Sequence, residues 1–194
     1  MPTGSLSNLE RALGQSKGKG EIESAAPGGP QMCGDIDIRI ARDGTWHYMG
    51  SPIGRMPLVK LFASVLKRDE AGDYWLITPA EMCRIRVEDA PFCAVEMSVA
   101  GEGKEQTLTF RTNLDEIVTA GEDHPIRVEV DPETLEPAPY IVVRDGLDAL
   151  IARSVFYDLV GHGLEREEHG RMKLGVWSDG VFFDIGETGS AHHA

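Results

Sequence analysis

The sequence predicts an α+β fold made of two duplicated strand–helix–hairpin modules with mixed or antiparallel sheet. Short segments alternate apolar and polar residues, as half-buried strands do, and two stripes of apolar residues follow helical spacing. The order strand, Asp-Gly turn, helix and hairpin occurs in both halves. We predict an N-terminal helix and linker over residues 1–34, a first module over 35–115, a second module over 116–187 and a tail over 188–194.

The N-terminal region is predicted to hold one short helix and a linker. Ser7 and Glu10 stand at capping-box spacing, and leucines recur around them at helical intervals. Residues 14–34 are rich in Gly, Lys, Ser, Ala and Pro, a composition that is typical of linkers. We therefore expect the ordered fold to begin near Asp35.

The first module is predicted to open with a hairpin and continue with a helix. Residues 36–40 alternate isoleucine with polar residues, Asp43-Gly44 is a tight-turn signal, and residues 46–48 are the return strand. From Leu58 to Leu66 the apolar residues recur at i, i+3, i+4 and i+7, which predicts an amphipathic helix. Further strands are predicted over residues 74–77, 82–87, 92–99 and 106–112.

The second module is predicted to repeat that plan. A strand over 126–130 is followed by an extended, proline-containing connection over 131–139 and a strand over 140–143. A helical stripe runs from Leu150 to Val160 and is ended by glycines. The last two strands are predicted over residues 172–177 and 181–185.

An internal duplication explains the shared order. At an offset of 98 residues, Arg55 falls on Arg153 and Arg68 falls on Arg166. Glycine, leucine and isoleucine positions match at the same offset, and the Arg-Asp-Gly sequence at residue 42 recurs at residue 144. Chance matching of two amphipathic helices, each followed by a hairpin, is the alternative. If the duplication is real, the two copies offer a pseudo-symmetric interface where a ligand could bind.

The charge of the chain limits its partners. The formal net charge is −13, in a chain with 41% hydrophobic and 26% charged residues. Such a surface repels nucleic-acid phosphates and anionic lipid, so we expect no nucleic-acid and no membrane partner. A small anion is still compatible with this charge, because a few arginines can form a local positive pocket. The oligomeric state is left open.

The cysteines and the N-terminus indicate a cytoplasmic protein. Cys33, Cys83 and Cys93 are odd in number and form no CxxC pair, so we expect no disulfide framework. The first residues lack the apolar stretch of a signal peptide, and no apolar run reaches membrane-spanning length. We also expect no metal site, since His162 and His169 have no third ligand nearby in the sequence.

Four motifs give the chain a family resemblance. They are a D-G-x-W-x-Y segment at Asp43 to Tyr48, a G-S-P-I-G-R segment at Gly50 to Arg55, a segment from Asp69 to Glu81 that ends in T-P-A-E, and V-E-D-A-P-F at Val87 to Phe92. Together they resemble the bacterial domain-of-unknown-function family 1285 over nearly all of residues 33–186. His47 departs from the aromatic or apolar residue that is expected there.

The resemblance implies a duplicated α+β fold whose C-terminal half is superficially similar to pleckstrin-homology-like domains. It implies no established activity. At the level of the family, it suggests a pocket at the interface between the modules, a ligand of nucleotide type and a signalling role.

The candidate ligand-binding residues concentrate in the second motif and its surroundings. Trp46 and Tyr48 offer aromatic faces for a planar group, and Arg55 offers a guanidinium for a phosphate or carboxylate. The alternative is that both aromatics are core residues and that Arg55 pairs with an acid such as Asp89. Arg153, the duplicate of Arg55, is either a second ligand cation or a solvated helical arginine.

The remaining candidates are polar residues near those motifs, namely Ser51, Glu81, Arg84 and Asp89. Glu88 and Asp89 precede Pro91, where carboxylates more often hold a loop than act as acid and base. Signatures of a nucleophile elbow and of a phosphate-binding loop are both incomplete. We name no catalytic residue, and His47 has no orienting partner that the sequence identifies.

Three functions remain as hypotheses. The first is non-enzymatic binding of a small anion, of which a nucleotide is one candidate, between the modules and with a signalling or regulatory role. The second is a protein-interaction adaptor that uses the acidic, pleckstrin-homology-like half. The third is an enzyme with an unfamiliar active site.

Overall fold

A computed structural model describes residues 29–168 and 170–187 of the chain. The predicted N-terminal helix, most of the predicted linker and the tail over 188–194 lie outside the described residues. The chain divides between Asp89 and Ala90 into two compact units. We call them the N-terminal and the C-terminal unit.

One six-stranded sheet and one helix form the N-terminal unit. Its elements in chain order are β1 (Gln31–Ile40), β2 (Trp46–Tyr48), β3 (Ser51–Pro52), α1 (Met56–Ser64), β4 (Leu66–Arg68), β5 (Tyr74–Ile77) and β6 (Glu81–Val87). The order in the sheet is β3-β2-β1-β6-β5-β4. Neighbours are antiparallel except β1 and β6, the first and last strands, which pair in parallel.

One face of this sheet is apolar, because its strands alternate buried and solvent-facing residues as predicted. Its fully buried positions include Ile38, Ile40, Leu76 and Cys83. Helix α1 begins at Met56 with a proline in its first turn and buries Leu58, Val59, Phe62 and Ala63. The ring of Phe62 stacks on Trp46, with centroids 6.2 Å apart.

A disulfide joins Cys33 of β1 to Cys83 of β6. The expectation that the cysteines stay unpaired was therefore wrong. The two residues are 50 positions apart in sequence, and the parallel pairing of their strands brings their Cα atoms within 5.2 Å. Periodicity predicts both strands but does not show that they are neighbours.

Strand β1 begins at Gln31, within the segment predicted as linker.

The C-terminal unit contains two sheets and the second helix. Its elements are β7 (Phe92–Ala100), a 3-10 turn (Gly103–Glu105), β8 (Thr107–Thr112), β9 (Ile117–Thr119), β10 (Ile126–Val130), β11 (Pro137–Arg144), β12 (Leu147–Ile151), α2 (Arg153–Gly161), β13 (Leu164–Glu168), β14 (Arg171–Ser178) and β15 (Val181–Glu187). The six-stranded sheet has the order β10-β11-β12-β7-β8-β9, and the three-stranded sheet has the order β13-β14-β15.

Buried polar contacts join the two sheets of the C-terminal unit. The Ser178 hydroxyl, which is fully buried, accepts a hydrogen bond from the Leu108 amide at 2.9 Å and donates one to the Ala120 carbonyl at 2.7 Å. The Gln106 side-chain amide donates to the Trp177 carbonyl at 2.9 Å. Because each of these groups is satisfied, burying them costs little.

The two-unit layout and the repeated order of elements agree with the sequence, while the pairing of strands does not repeat. Elements β11, β12, α2, β13, β14 and β15 follow the order of β1, β2, α1, β4, β5 and β6. In the N-terminal unit the first and last strands of that series, β1 and β6, pair directly. In the C-terminal unit the corresponding strands are β11 and β15, and β10 pairs with β11 and lies beside β15. The fold is sheet-rich, and none of its described helices is long and apolar enough to cross a membrane.

Two segment assignments differ from the sequence analysis. Leu150 and Ile151 end strand β12, and the helix begins only at Arg153, because these apolar residues pair with β11 and β7. The module boundary expected near residue 115 is also displaced. Strand β7 pairs in parallel with β12, which places the hairpin of β7 and β8 in the C-terminal unit.

Replacing Phe62 tests the core of the N-terminal unit. Phe62→Ala leaves a cavity against Trp46, and we expect the free energy of unfolding of this unit to fall by about 3–5 kcal/mol. Tyr157→Ala is the control, because Tyr157 is a helical aromatic that is 65% exposed. Urea unfolding followed by tryptophan fluorescence measures both variants. Equal, small losses in the two variants would contradict this core.

Candidate functional site

A cavity of about 490 Å³ lies within the N-terminal unit, which is a size common among small-molecule sites. Four strands, β1, β2, β5 and β6, and the turns beside them contribute its walls. The lining residues are Asp35 to Arg39, His47, Gly50, Gly72 to Tyr74, and Arg84 to Val87.

A bulge in β1 opens this cavity. Asp35 pairs with Arg84 and Arg39 pairs with Arg86, so three residues of β1 lie opposite the single residue Ile85. Extra residues in one strand bend it away from its partner, and such irregularities are common beside functional sites. The carbonyl of Asp37, in the middle of the bulge, accepts a hydrogen bond from the Met49 amide at 3.0 Å.

The turn that makes this contact is a tight hairpin between β2 and β3. Tyr48 pairs with Ser51, which leaves Met49 and Gly50 as a two-residue loop with φ values of 48° and 79°. Positive φ at both positions is characteristic of the type I′ turn, whose twist suits a hairpin. Met49 adopts this conformation without being glycine. The turn holds the bulge on one side and contributes Gly50 to the cavity wall.

At one end of the cavity, Arg84 is held by two carboxylates. Its Nε and Nη2 atoms donate to the two oxygens of Asp35 at 2.6 and 3.0 Å, and its Nη1 donates to Asp73 at 3.3 Å. The guanidinium also lies 5.8 Å from the centre of the Trp75 ring. The hydrogen bond from Arg84 lowers the pKa of Asp35, and the bonds to Asp35 raise the pKa of Arg84. This arginine is already neutralised.

At the other end, three basic side chains stand in one row across three neighbouring strands. In this row, Arg39 of β1 pairs directly with His47 of β2 on one side and with Arg86 of β6 on the other. Side chains directly opposite one another in a sheet lie close together, and like charges there are unfavourable unless something neutralises them. We call Arg86, Arg39 and His47 the basic row.

Only one member of the basic row forms an ion pair with a carboxylate in the described part of the chain, although the charge of His47 also acts on Asp43 and Glu88. The Arg39 guanidinium donates to Glu88, which also accepts from the Arg42 amide at 3.1 Å. These contacts lower the pKa of Glu88, with the bond from Arg39 contributing most. Across residues 29–168 and 170–187, the Arg86 guanidinium has no ion pair and the buried Nδ1 atom of His47 has no hydrogen-bond partner. A buried polar atom of this kind calls for a water or a ligand.

Of the residues predicted from sequence, Arg84 lines this cavity. Trp46 is buried in the core with its indole nitrogen lacking a partner in the described region, and Tyr48 is half-buried beside it on β2. Ser51 is exposed in β3, and Glu81 is the first residue of β6. None of these four residues lies in the cavity wall.

The other predicted residues lie at helix starts and in a loop. Arg55 precedes α1 and is exposed, and Asp89 pairs with Arg42 at 3.1 Å. Arg153 is the first residue of α2 in the C-terminal unit, where it lies 3.6 Å from Glu136. No cluster of three or more His, Cys, Asp or Glu side chains able to hold a metal occurs among the described residues.

The charged residues of the cavity, of which the sequence analysis named only Arg84, follow a simple pattern. Asp35, Asp37 and Arg39 alternate with the isoleucines of β1, and Arg84 and Arg86 alternate with Cys83 and Ile85 of β6. That alternation places charged residues on the face opposite the core. It does not show that the two charged sets meet, because their strands are separated by four other strands and a helix in sequence.

Comparison with known proteins gives the family. The N-terminal domain described as "Domain of unknown function (DUF1285)" matches residues 28–90, and the C-terminal domain of the same family matches residues 91–185. The search of curated proteins found no match.

Two solved structures are similar to the chain. A DUF1285 family protein from Silicibacter pomeroyi DSS-3 is 48% identical with a TM-score of 0.81, covering 95% of this chain and 96% of its own. Another from Shewanella baltica OS155 is 26% identical with a TM-score of 0.52, covering 66% of this chain and 92% of its own. The chain therefore belongs to the DUF1285 family.

Proposed function

We propose that this protein binds a small anion in the cavity of the N-terminal unit, as a non-enzymatic sensor with a signalling or regulatory role. The observation that carries the proposal is the basic row: across the described residues, Arg86 has no counter-ion and the buried Nδ1 atom of His47 has no hydrogen-bond partner. A bound anion would neutralise the row through charge-assisted hydrogen bonds.

The other charges in the cavity leave room for such a ligand. Asp35 and Asp73 are engaged with Arg84, which leaves Asp37 as the remaining carboxylate among the residues that line the cavity. An anion that also carries hydroxyl groups would suit this arrangement, because Asp37 could accept a hydrogen bond from them. Tyr74 adds an aromatic wall, which favours a planar group beside the charge. A nucleotide combines all three features.

Binding is better supported than catalysis. The lowered pKa of Asp35 keeps this carboxyl ionised near neutral pH, where a general acid must hold a proton. The lowered pKa of Glu88, which pairs with Arg39, likewise keeps that carboxyl ionised near neutral pH. These carboxylates position arginines, which is a role in a binding site.

Titration with 5′-AMP, orthophosphate and adenosine tests the proposal. We expect 5′-AMP to bind more tightly than orthophosphate and adenosine to bind much more weakly, with affinities measured by isothermal titration calorimetry. Arg86→Ala should weaken phosphate binding by about tenfold or more, since a charge-assisted hydrogen bond is lost. Arg55→Ala and Arg153→Ala serve as controls because neither residue lines the cavity. Losses in these controls that match that of Arg86→Ala would contradict the placement of the site.

Removing the charge of Asp37 should have the opposite effect. Asp37→Asn keeps the shape of the side chain and removes a carboxylate from the cavity wall. We expect orthophosphate to bind several-fold more tightly to this variant, because a like charge is lost. Glu70→Gln, at an exposed position outside the cavity, is the charge-matched control. An equal gain in both variants would indicate only a general effect of net charge.

We propose as a second candidate function that the C-terminal unit is a pleckstrin-homology-like adaptor for a basic partner. Strand β13 supports this alternative, because it is an edge of its sheet and all five of its residues are exposed, including Glu165, Glu167 and Glu168. An exposed edge can accept an added strand from another chain.

A peptide that alternates valine and lysine tests the adaptor hypothesis. We expect it to bind in low salt and to lose affinity in the double variant Glu165→Lys/Glu167→Lys, because the charge of the edge is reversed. Backbone NMR shifts along β13 and β14 report the binding. Shifts that avoid this hairpin, or equal binding by the variant, would remove the alternative.

A further inference from the structure

The disulfide of the N-terminal unit lies directly beside the cavity. Cys33 is two residues before Asp35, and Cys83 is the neighbour of Arg84. Asp35 and Arg84 pair with each other at the start of the bulge and both line the cavity. A covalent bond and an ion pair therefore fasten β1 to β6 at the same end of the cavity.

The two sulfur atoms differ in their access to solvent. Cys83 is 1% exposed and belongs to the core, while Cys33 is half-buried at the outer part of β1. Thiol–disulfide exchange requires that a thiolate reach one of the two sulfurs. Cys33, as the more exposed of the two residues, is therefore the expected point of attack by a thiolate.

The first residues of β1 pair with β6 but bury little apolar surface. Met32 is 63% exposed, and the register of β1 against β6 is shifted between Met32 and Gly34. Gly34 has a φ of +80°, which interrupts the regular strand. The Gln31 amide donates to the Ala80 carbonyl at 2.9 Å. With so little apolar burial in this stretch, it is held by the disulfide, by backbone pairing with β6 and by the Asp35–Arg84 ion pair.

We propose that the Cys33–Cys83 pair is a redox modification site, exchanged by a dithiol reductant, and that its state sets the order of β1 at the cavity. In the oxidised form the start of β1 is held on β6, and Asp35 is kept in place to orient Arg84. In the reduced form residues 31–35 detach more often. The consequence for anion affinity rests on the proposed function, whereas the consequence for the strand does not.

The exchange is balanced with a dithiol as co-reactant. A thiolate of the reductant attacks Cys33 Sγ, the bond between the two cysteine sulfurs breaks, and Cys83 leaves as a thiolate that takes a proton from water. The second thiolate of the reductant then attacks the mixed disulfide and releases the Cys33 thiolate, which is also protonated. Two electrons pass to the protein, and the reductant becomes a disulfide.

Hydrogen exchange on the full chain tests the tether. After oxidation with oxidised glutathione, mass spectrometry should find Cys33 and Cys83 linked, and amides 31–35 should exchange at least about tenfold faster after reduction with dithiothreitol. Cys33→Ser should exchange fast in both conditions. Cys93→Ser, which leaves the pair intact, should behave as the native chain. If Cys33 and Cys83 both remain open to alkylation after oxidation, or if exchange is the same in both states, the proposal fails.

Orthophosphate titration of the same two states tests the link to the cavity. We expect weaker binding in the reduced form, because the ligand must then also order β1. Equal affinity in both states would overturn the link between the disulfide and the cavity. Absence of binding in both states, with the difference in exchange retained, would overturn the proposed function and leave the redox site standing.

Discussion

The parallel pairing of β1 with β6 is the constraint on which the N-terminal unit depends. It joins the first and last strands of the unit, and the strands between them in sequence extend the sheet on either side of this pair. The bulge and the disulfide lie on this pair of strands, which also contributes residues to the cavity and to the basic row. In the C-terminal unit, which repeats the order of elements, β11 corresponds to β1, and its neighbour in the sheet is β10. The bulged parallel pair is therefore a feature of the N-terminal unit.

The site also shows how a local charge arrangement differs from the charge of the whole chain. The protein has a net charge of −13, which repels large anionic polymers at long range. Within the cavity, Arg84 is neutralised by Asp35 and Asp73, while Arg86 has no such partner in the part of the chain that the structure describes. Under the proposed function, short-range charge-assisted hydrogen bonds from the exposed Arg86 guanidinium would outweigh a long-range field that salt screens. The net charge of the chain is therefore compatible with the small anion that we propose as its ligand.

Periodicity predicted most strands and the first helix, because these depend on nearby residues, while four short motifs carried the resemblance to the family. Leu58 and Phe62 mark the buried face of α1, and the alternating isoleucines mark β1. Periodicity did not predict which strands become neighbours. The disulfide, the boundary at Asp89 and the meeting of Arg39 with Arg86 all require that knowledge. Local sequence also led to the choice of Trp46, whose aromatic ring fits a stacking surface as well as a core position.

The proposed site and the proposed redox pair lie on the same two strands, so changes in one should be felt by the other. The most direct test of the anion site is a titration of orthophosphate followed by the side-chain NMR signals of arginine Nε and histidine nitrogen. We predict that the signals of Arg86, Arg39 and His47 shift with the same dissociation constant and reach saturation together, while the signal of Arg153 stays unchanged. Shifts confined to other arginines, or none at saturating phosphate, would contradict the account.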